Sequence, residues 1–173
     1  SRIAKELGRL SETILYLKKA AKANKDDLSA LMELYNLLNE NNDDTRSLSW
    51  TLNELCKRDP TKSNFAEELS NQLYQSGKIQ EALHTLKTNI EAQIAIGEPI
   101  SIENANLLSS GYLDEGMNDE VIALDKLIDD APPDFRINAA IALVRQKKFK
   151  EAHKEIETFV QLDPQVFSEV YHL

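Results

Sequence analysis

The stretch Gly77-Lys78-Ile79-Gln80-Glu81-Ala82 decides the fold. A turn residue is followed by three variable residues, then an acidic one and a small one. Glycine lets a backbone reverse within few residues, and a small side chain after the acid lets a second helix approach the first closely. The order recurs in Gly8-Arg9-Leu10-Ser11-Glu12-Thr13 and in Gly116-Met117-Asn118-Asp119-Glu120-Val121. Lys147-Lys148-Phe149-Lys150-Glu151-Ala152 repeats it with lysine in the turn position, and Asp43-Asp44-Thr45-Arg46-Ser47-Leu48 is a degenerate copy. The closing residues Thr13, Leu48, Ala82, Val121 and Ala152 are spaced by 35, 34, 39 and 31 residues.

Prolines supply a second register. Pro60, Pro133 and Pro164 each lie twelve residues after Leu48, Val121 and Ala152. A proline there ends the preceding helix, because it has no N–H to donate and clashes with the turn before it. A period near 34 built from helix, tight turn and helix resembles the tetratricopeptide repeat (TPR). That resemblance implies an all-α, TPR-type helical hairpin solenoid of about four to five repeats, in which no helix buries its apolar face alone. Some other helical hairpin array is the alternative.

Apolar stripes and breaks predict one array over residues 1–173, with helix pairs at about 1–23, 26–58, 63–95, 101–130 and 134–161. In the first pair, a helix ends near Gly8 and a second runs over about 11–23. Leu28, Leu31, Met32 and Tyr35 form the stripe of the next first helix, followed by a long polar turn from Asn39 to Asp44. Ile96-Gly97-Glu98-Pro99-Ile100 interrupts the array where the spacing grows to 39, and Ser101 is placed to cap the helix that follows. Residues 165–173 read as the start of a further helix, so both ends are expected to fall inside the array.

Composition excludes several classes. A hydrophobic share of 42% with only five Gly and five Pro argues for a folded helical chain. One cysteine, Cys56, rules out an internal disulfide and suits a reducing compartment. No apolar run approaches a membrane span, so no membrane partner is expected. Charge is uneven: residues 98–134 hold ten acidic groups against Lys126 alone, which equals the net charge of -9. An acidic chain is a poor binder of phosphate backbones, and no direct sequence-specific nucleic-acid binding is expected. The basic runs Arg145-Gln146-Lys147-Lys148-Phe149-Lys150 and Lys18, Lys19, Lys22 and Lys25 read as solvated helix and turn residues, though a phosphate contact in a larger assembly is the competing reading.

Catalytic chemistry is missing. His84, His153 and His172 lie in different repeats, and none pairs with another His or Cys at metal-ligand spacing. Asp43-Asp44 and Asp129-Asp130 fall at helix ends, where acids are common. Gly77 and Gly116 are turn residues rather than parts of a phosphate loop. The reading is no enzyme, no metal and no cofactor.

In a TPR array the first helix of each pair lines the groove that receives a partner. Subtracting packing positions leaves Asn64, Glu67, Asn71, Tyr74 and Gln75 in the third repeat, and Glu103, Asn106, Ser110, Leu113 and Asp114 in the fourth. The polar members can hydrogen-bond an extended peptide, with Tyr74 and Leu113 as apolar anchors. This acidic, amide-rich surface is the wrong sign for the carboxylate clamps that hold chaperone tails.

Pro99-Ile100-Ser101-Ile102-Glu103-Asn104-Ala105-Asn106-Leu107-Leu108 resembles the opening of a repeat in the TPR subunit of RNA polymerase III transcription factor IIIC. Ala131-Pro132-Pro133-Asp134-Phe135-Arg136-Ile137-Asn138 is similar to a later short repeat of that family, and Glu6-Leu7-Gly8-Arg9-Leu10-Ser11 and Asp26-Asp27-Leu28 to its early repeats. The resemblance implies a nuclear scaffold that meets other transcription factor IIIC subunits and recruits transcription factor IIIB subunits, including the B-related factor. A TPR adaptor of an unrelated complex, bacterial or eukaryotic and then cytoplasmic, is the alternative.

Overall fold

The computed structural model describes residues 2–41, 44–128 and 132–162. Among them are nine helices and no strand: α1 (Arg2–Ala23), α2 (Ser29–Asn41), α3 (Thr45–Arg58), α4 (Ser63–Gln75), α5 (Ile79–Ile96), α6 (Ile102–Asp114), α7 (Asn118–Asp125), α8 (Pro133–Arg145) and α9 (Phe149–Leu162). They form two compact units that divide between Lys78 and Ile79.

In the first unit each helix packs on the next, α1 on α2, α2 on α3 and α3 on α4. The stripe Leu31, Leu34 and Leu38 of α2 is buried at helical spacing. Leu31 joins Ala21, Leu52, Leu55, Phe65 and Leu69 in one apolar cluster, while Leu34 and Leu38 join Leu17 in another. Each such leucine contributes about 2 kcal/mol through burial. Tyr35 meets Phe65 edge-on at 5.1 Å, and its hydroxyl donates to Glu68 at 2.7 Å. Cys56 packs against the first cluster, and burial pushes its thiol up to about 11. Arg58 reaches back to the end of α1, donating to the carbonyls of Ala21 at 2.9 Å and Asn24 at 3.3 Å, where a cation meets the negative end of the helix.

The break expected near Gly8 is absent. α1 runs without interruption from Arg2 to Ala23, so the first pair is a single helix. Gly8 is not among the residues of positive φ, unlike Gly77, Gly97 and Gly116. A glycine inside a helix weakens it by only about 1 kcal/mol, and the helix formers around Gly8 carry it.

In the second unit α5 packs on α6, α6 on α7 and α8, α7 on α8, and α8 on α9. The contact of α6 with α8 sets the first helices of successive hairpins side by side. Between α5 and α6 the buried side chains of Asn89 and Asn104 share a hydrogen bond of 2.8 Å. Gln93 accepts from the backbone N–H of Ser101 at 3.1 Å, which seats the start of α6 on α5. Ser101 caps α6 as expected, accepting from the N–H of Asn104. Arg136 of α8 lies 3.7 Å from Asp125 of α7 and 3.7 Å from Glu155 of α9, so one guanidinium ties three helices. Burial raises the Asp125 carboxyl above its ordinary value of 3.8, and Arg136 partly offsets this.

The repeated turns share one geometry. Gly77 and Gly116 have φ near 72°, and Lys147 has φ 61°. In each case the N–H of the left-handed residue bonds back to Tyr74, Leu113 or Val144, and the next N–H to Leu73, Tyr112 or Leu143. This double bond pattern closes the helix end and satisfies its last carbonyls. The expected proline register holds at Pro60, just past the end of α3 at Arg58. Pro133 instead opens α8 at its first turn, where a missing N–H costs nothing. α7 ends at Asp125, five residues short of its expected end at 130. Pro164, His172 and the helix start expected at 165–173 lie outside the described residues.

Candidate functional site

The ten groove candidates fall on two helices, one in each unit. On α4 the buried face is Phe65, Ala66, Leu69 and Ser70. Asn64, Asn71 and Gln75 are exposed, and Glu67 and Tyr74 are half-buried. The polar positions between them are engaged inside the unit, since Glu68 accepts from Tyr35 and Gln72 accepts from Ser49.

On α6, Glu103, Ser110 and Asp114 are exposed and Asn106 is half-buried. Leu113 departs from expectation: at 9% exposure it is a packing residue, and only its carbonyl is used, accepting from Arg145. Gly111, Tyr112 and Leu113 are all buried because α6 has neighbours on several sides, and subtraction of a single packing stripe misses that. Asn138 of α8 extends the same face, donating to Ser109 and Ser110 at 3.3 Å. Within the second unit, Glu103, Asn106, Ser110, Asp114 and Asn138 therefore make a polar, acidic strip on two adjacent first helices. Such a strip can exchange hydrogen bonds with an extended chain and attract a basic one.

Part of each basic run is committed to the fold. Lys18 and Lys22 sit 5.5 and 5.6 Å from the ring centre of Trp50, and Lys18 also donates to Ser47 at 2.6 Å. Arg145 closes the end of α6, and Gln146 donates to Asp119 at 2.7 Å. Lys147, Lys148 and Lys150 are exposed at the α8–α9 turn. Among the described residues, no group of three or more His, Cys, Asp and Glu converges as metal ligands would, and no helix is long and apolar enough to cross a membrane. His84 and His153 are exposed on separate helices, His153 beside Glu157 at 3.2 Å. Asp44, expected at a helix end, is the cap of α3.

One feature of the second unit was missed in the sequence. α5 and α7 stand apart over α6 and leave an apolar groove of about 120 Å³, floored by Ile90, Leu108, Tyr112 and Leu124. The surplus of apolar residues on α7 and the turn after it, where Val121, Ile122 and Leu124 are followed by Leu127, is the signal that marks it.

Successive helices packed as antiparallel hairpins within each unit have the architecture of a helical repeat. Solved structures agree on the fold. A MamA structure matches over 95% of this chain and 94% of its own, at 16% identity and a TM-score of 0.58. MamA from Desulfovibrio magneticus RS-1 matches over 95% and 91%, at 18% identity and 0.52. YrrB, described as a TPR protein with an unusual peptide-binding site, matches over 99% and 88%, at 14% identity and 0.57. The fold is thus the TPR fold. No protein-family model matches the sequence, and no curated protein does.

Proposed function

We propose that the protein is a non-enzymatic scaffold that binds an extended segment of a partner protein on the first helices of its hairpins. The observation that carries this reading is the polar strip of α6 and α8, where Glu103, Ser110 and Asp114 stay exposed while the rest of α6 is buried or half-buried. The peptide-binding site ascribed to YrrB, which has the same fold, supports it. The partner in this proposal is transcription factor IIIB, met in the nucleus within transcription factor IIIC. The support is the likeness of residues 99–108 and 131–138 to that family's repeats, together with the acidity of 98–134. Basic stretches of the B-related factor then dock on Glu103, Asp114 and Glu115, all three exposed.

The test is a titration against purified transcription factor IIIB subunits at two salt concentrations. Saturable binding that weakens with salt, and that is lost when Glu103, Asp114 and Glu115 are changed to lysine, supports the proposal. Unchanged binding by the lysine variant refutes the acidic dock. Absence of binding removes this partner and favours the second reading, an adaptor in an unrelated assembly, which the fold likeness to MamA and YrrB supports.

A further inference from the structure

The groove over α6 lies on a different surface from the polar strip. On a helix of 3.6 residues per turn, Leu108 and Tyr112 point roughly opposite to Asn106 and Ser110. Its floor is apolar, while its rim carries Glu91 and Lys87 on α5 and Glu120 on α7, a surplus of one carboxylate. Glu91 is paired with Lys87 at 3.7 Å across exposed side chains, a weak pair that an incoming cation can displace. Glu120 stands exposed beside Asp119, which is already taken by Gln146. An apolar cavity of about 150 Å³ holds a benzene-sized group, so a space of about 120 Å³ accepts one branched aliphatic or thioether side chain. Leu127, 56% exposed at the groove's edge, extends the apolar surface.

We infer that this groove is a second docking site, which takes a partner segment carrying one aliphatic side chain flanked by lysine or arginine. The choice of occupant follows from charge: Glu91 and Glu120 outnumber Lys87 among the lining residues, and on the Glu120 side residues 98–128 offer Lys126 as the sole base. A segment with acidic flanks meets repulsion at Glu120 and no surplus cation on the α5 wall, and a wholly apolar one offers the Glu120 carboxylate no partner. The inference is independent of the transcription factor reading and of the strip on α6 and α8.

The experiment titrates the protein into three short fluorescent peptides, one with leucine between lysines, one with glutamates in place of the lysines, and one with alanine in place of the leucine. The lysine–leucine peptide is expected to bind saturably and the other two about tenfold more weakly or worse. Glu91→Lys with Glu120→Lys lowers its affinity about tenfold, and Ala123→Trp, at an exposed lining position, blocks it. Circular dichroism confirms the helix content of each variant. No saturation up to about 1 mM peptide overturns the inference, as does equal binding of the glutamate peptide or unchanged binding by Ala123→Trp. Concentration-dependent self-association abolished by Ala123→Trp overturns it in favour of a second copy as the occupant.

Discussion

At the scale of single residues, the clearest test is the turn position. Lys147 occupies the left-handed conformation that Gly77 and Gly116 occupy in the equivalent turns. A side chain there costs about 1 kcal/mol or more relative to glycine. Lys147→Gly is therefore expected to stabilise the protein by about 1 kcal/mol and Gly116→Ala to destabilise it by about as much, read as opposite shifts in the urea midpoint. No heavy atom lies within 4 Å of a Cβ built on Gly116, so the predicted loss is conformational and not steric. A second residue-scale test uses the buried amides. Asn104→Ala leaves Asn89 without its 2.8 Å partner and costs about 1–3 kcal/mol, while changing both to leucine costs less than the two single changes together.

At the scale of elements, helix ends decide how well the sequence can be read. Asp44 caps α3, accepting from both the hydroxyl and the N–H of Ser47, and these bonds hold its carboxyl below the ordinary 3.8. A carboxylate depressed in the folded state stabilises it above the ordinary value, and that contribution is lost as pH falls through the folded one. Asp44→Ala is expected to cost about 1 kcal/mol at pH 7, and the difference from the parent shrinks below pH 3.8. Boundaries marked by such chemistry agree with the structure: Ser101 starts α6, and the glycine turns start α5 and α7. Boundaries argued from glycine alone do not, as Gly8 shows. It has the motif of Gly77 without the positive φ, because a turn also needs a second helix to fold back, and that tertiary requirement is invisible in six residues. The candidate site was harder to read for the same reason. Exposure at Asn64, Asn71, Glu103 and Ser110 follows from one stripe per helix, whereas Leu113 is claimed by additional neighbours and the groove over α6 depends on how far α7 stands from α5.

At the scale of the molecule, hairpins that touch only their neighbours share stability locally. In the second unit the guanidinium of Arg136 couples α7, α8 and α9. Arg136→Met leaves Asp125 and Glu155 without their shared cation and is expected to cost about 2 kcal/mol, below the 3–5 kcal/mol of fully buried pairs because Glu155 is partly solvated. Hydrogen exchange should speed in α7, α8 and α9 and leave the slow amides of α2 and α3 unchanged. Asp125 also adds a pH response of opposite sign to that of Asp44. Its carboxyl is raised, so the folded state takes up a proton more readily than the unfolded chain. The cost of its ionisation is present at neutral pH and is relieved as pH falls towards 3.8. The stability of the parent relative to Asp125→Asn is therefore expected to rise between pH 7 and about pH 4, measured by urea unfolding.

The lone thiol makes this molecule its own stopwatch. With the Cys56 thiol pushed up to about 11 by burial, less of it is thiolate at pH 7 than in an open chain, so an aromatic disulfide reagent meets a slow folded protein. Once α3 lifts from Ala21, Leu31 and Phe65, the thiol returns to ordinary acidity and reacts. Labelling rates then time the opening of the first unit without any engineered probe, and a cysteine placed by design on the second unit can be modified first while Cys56 waits.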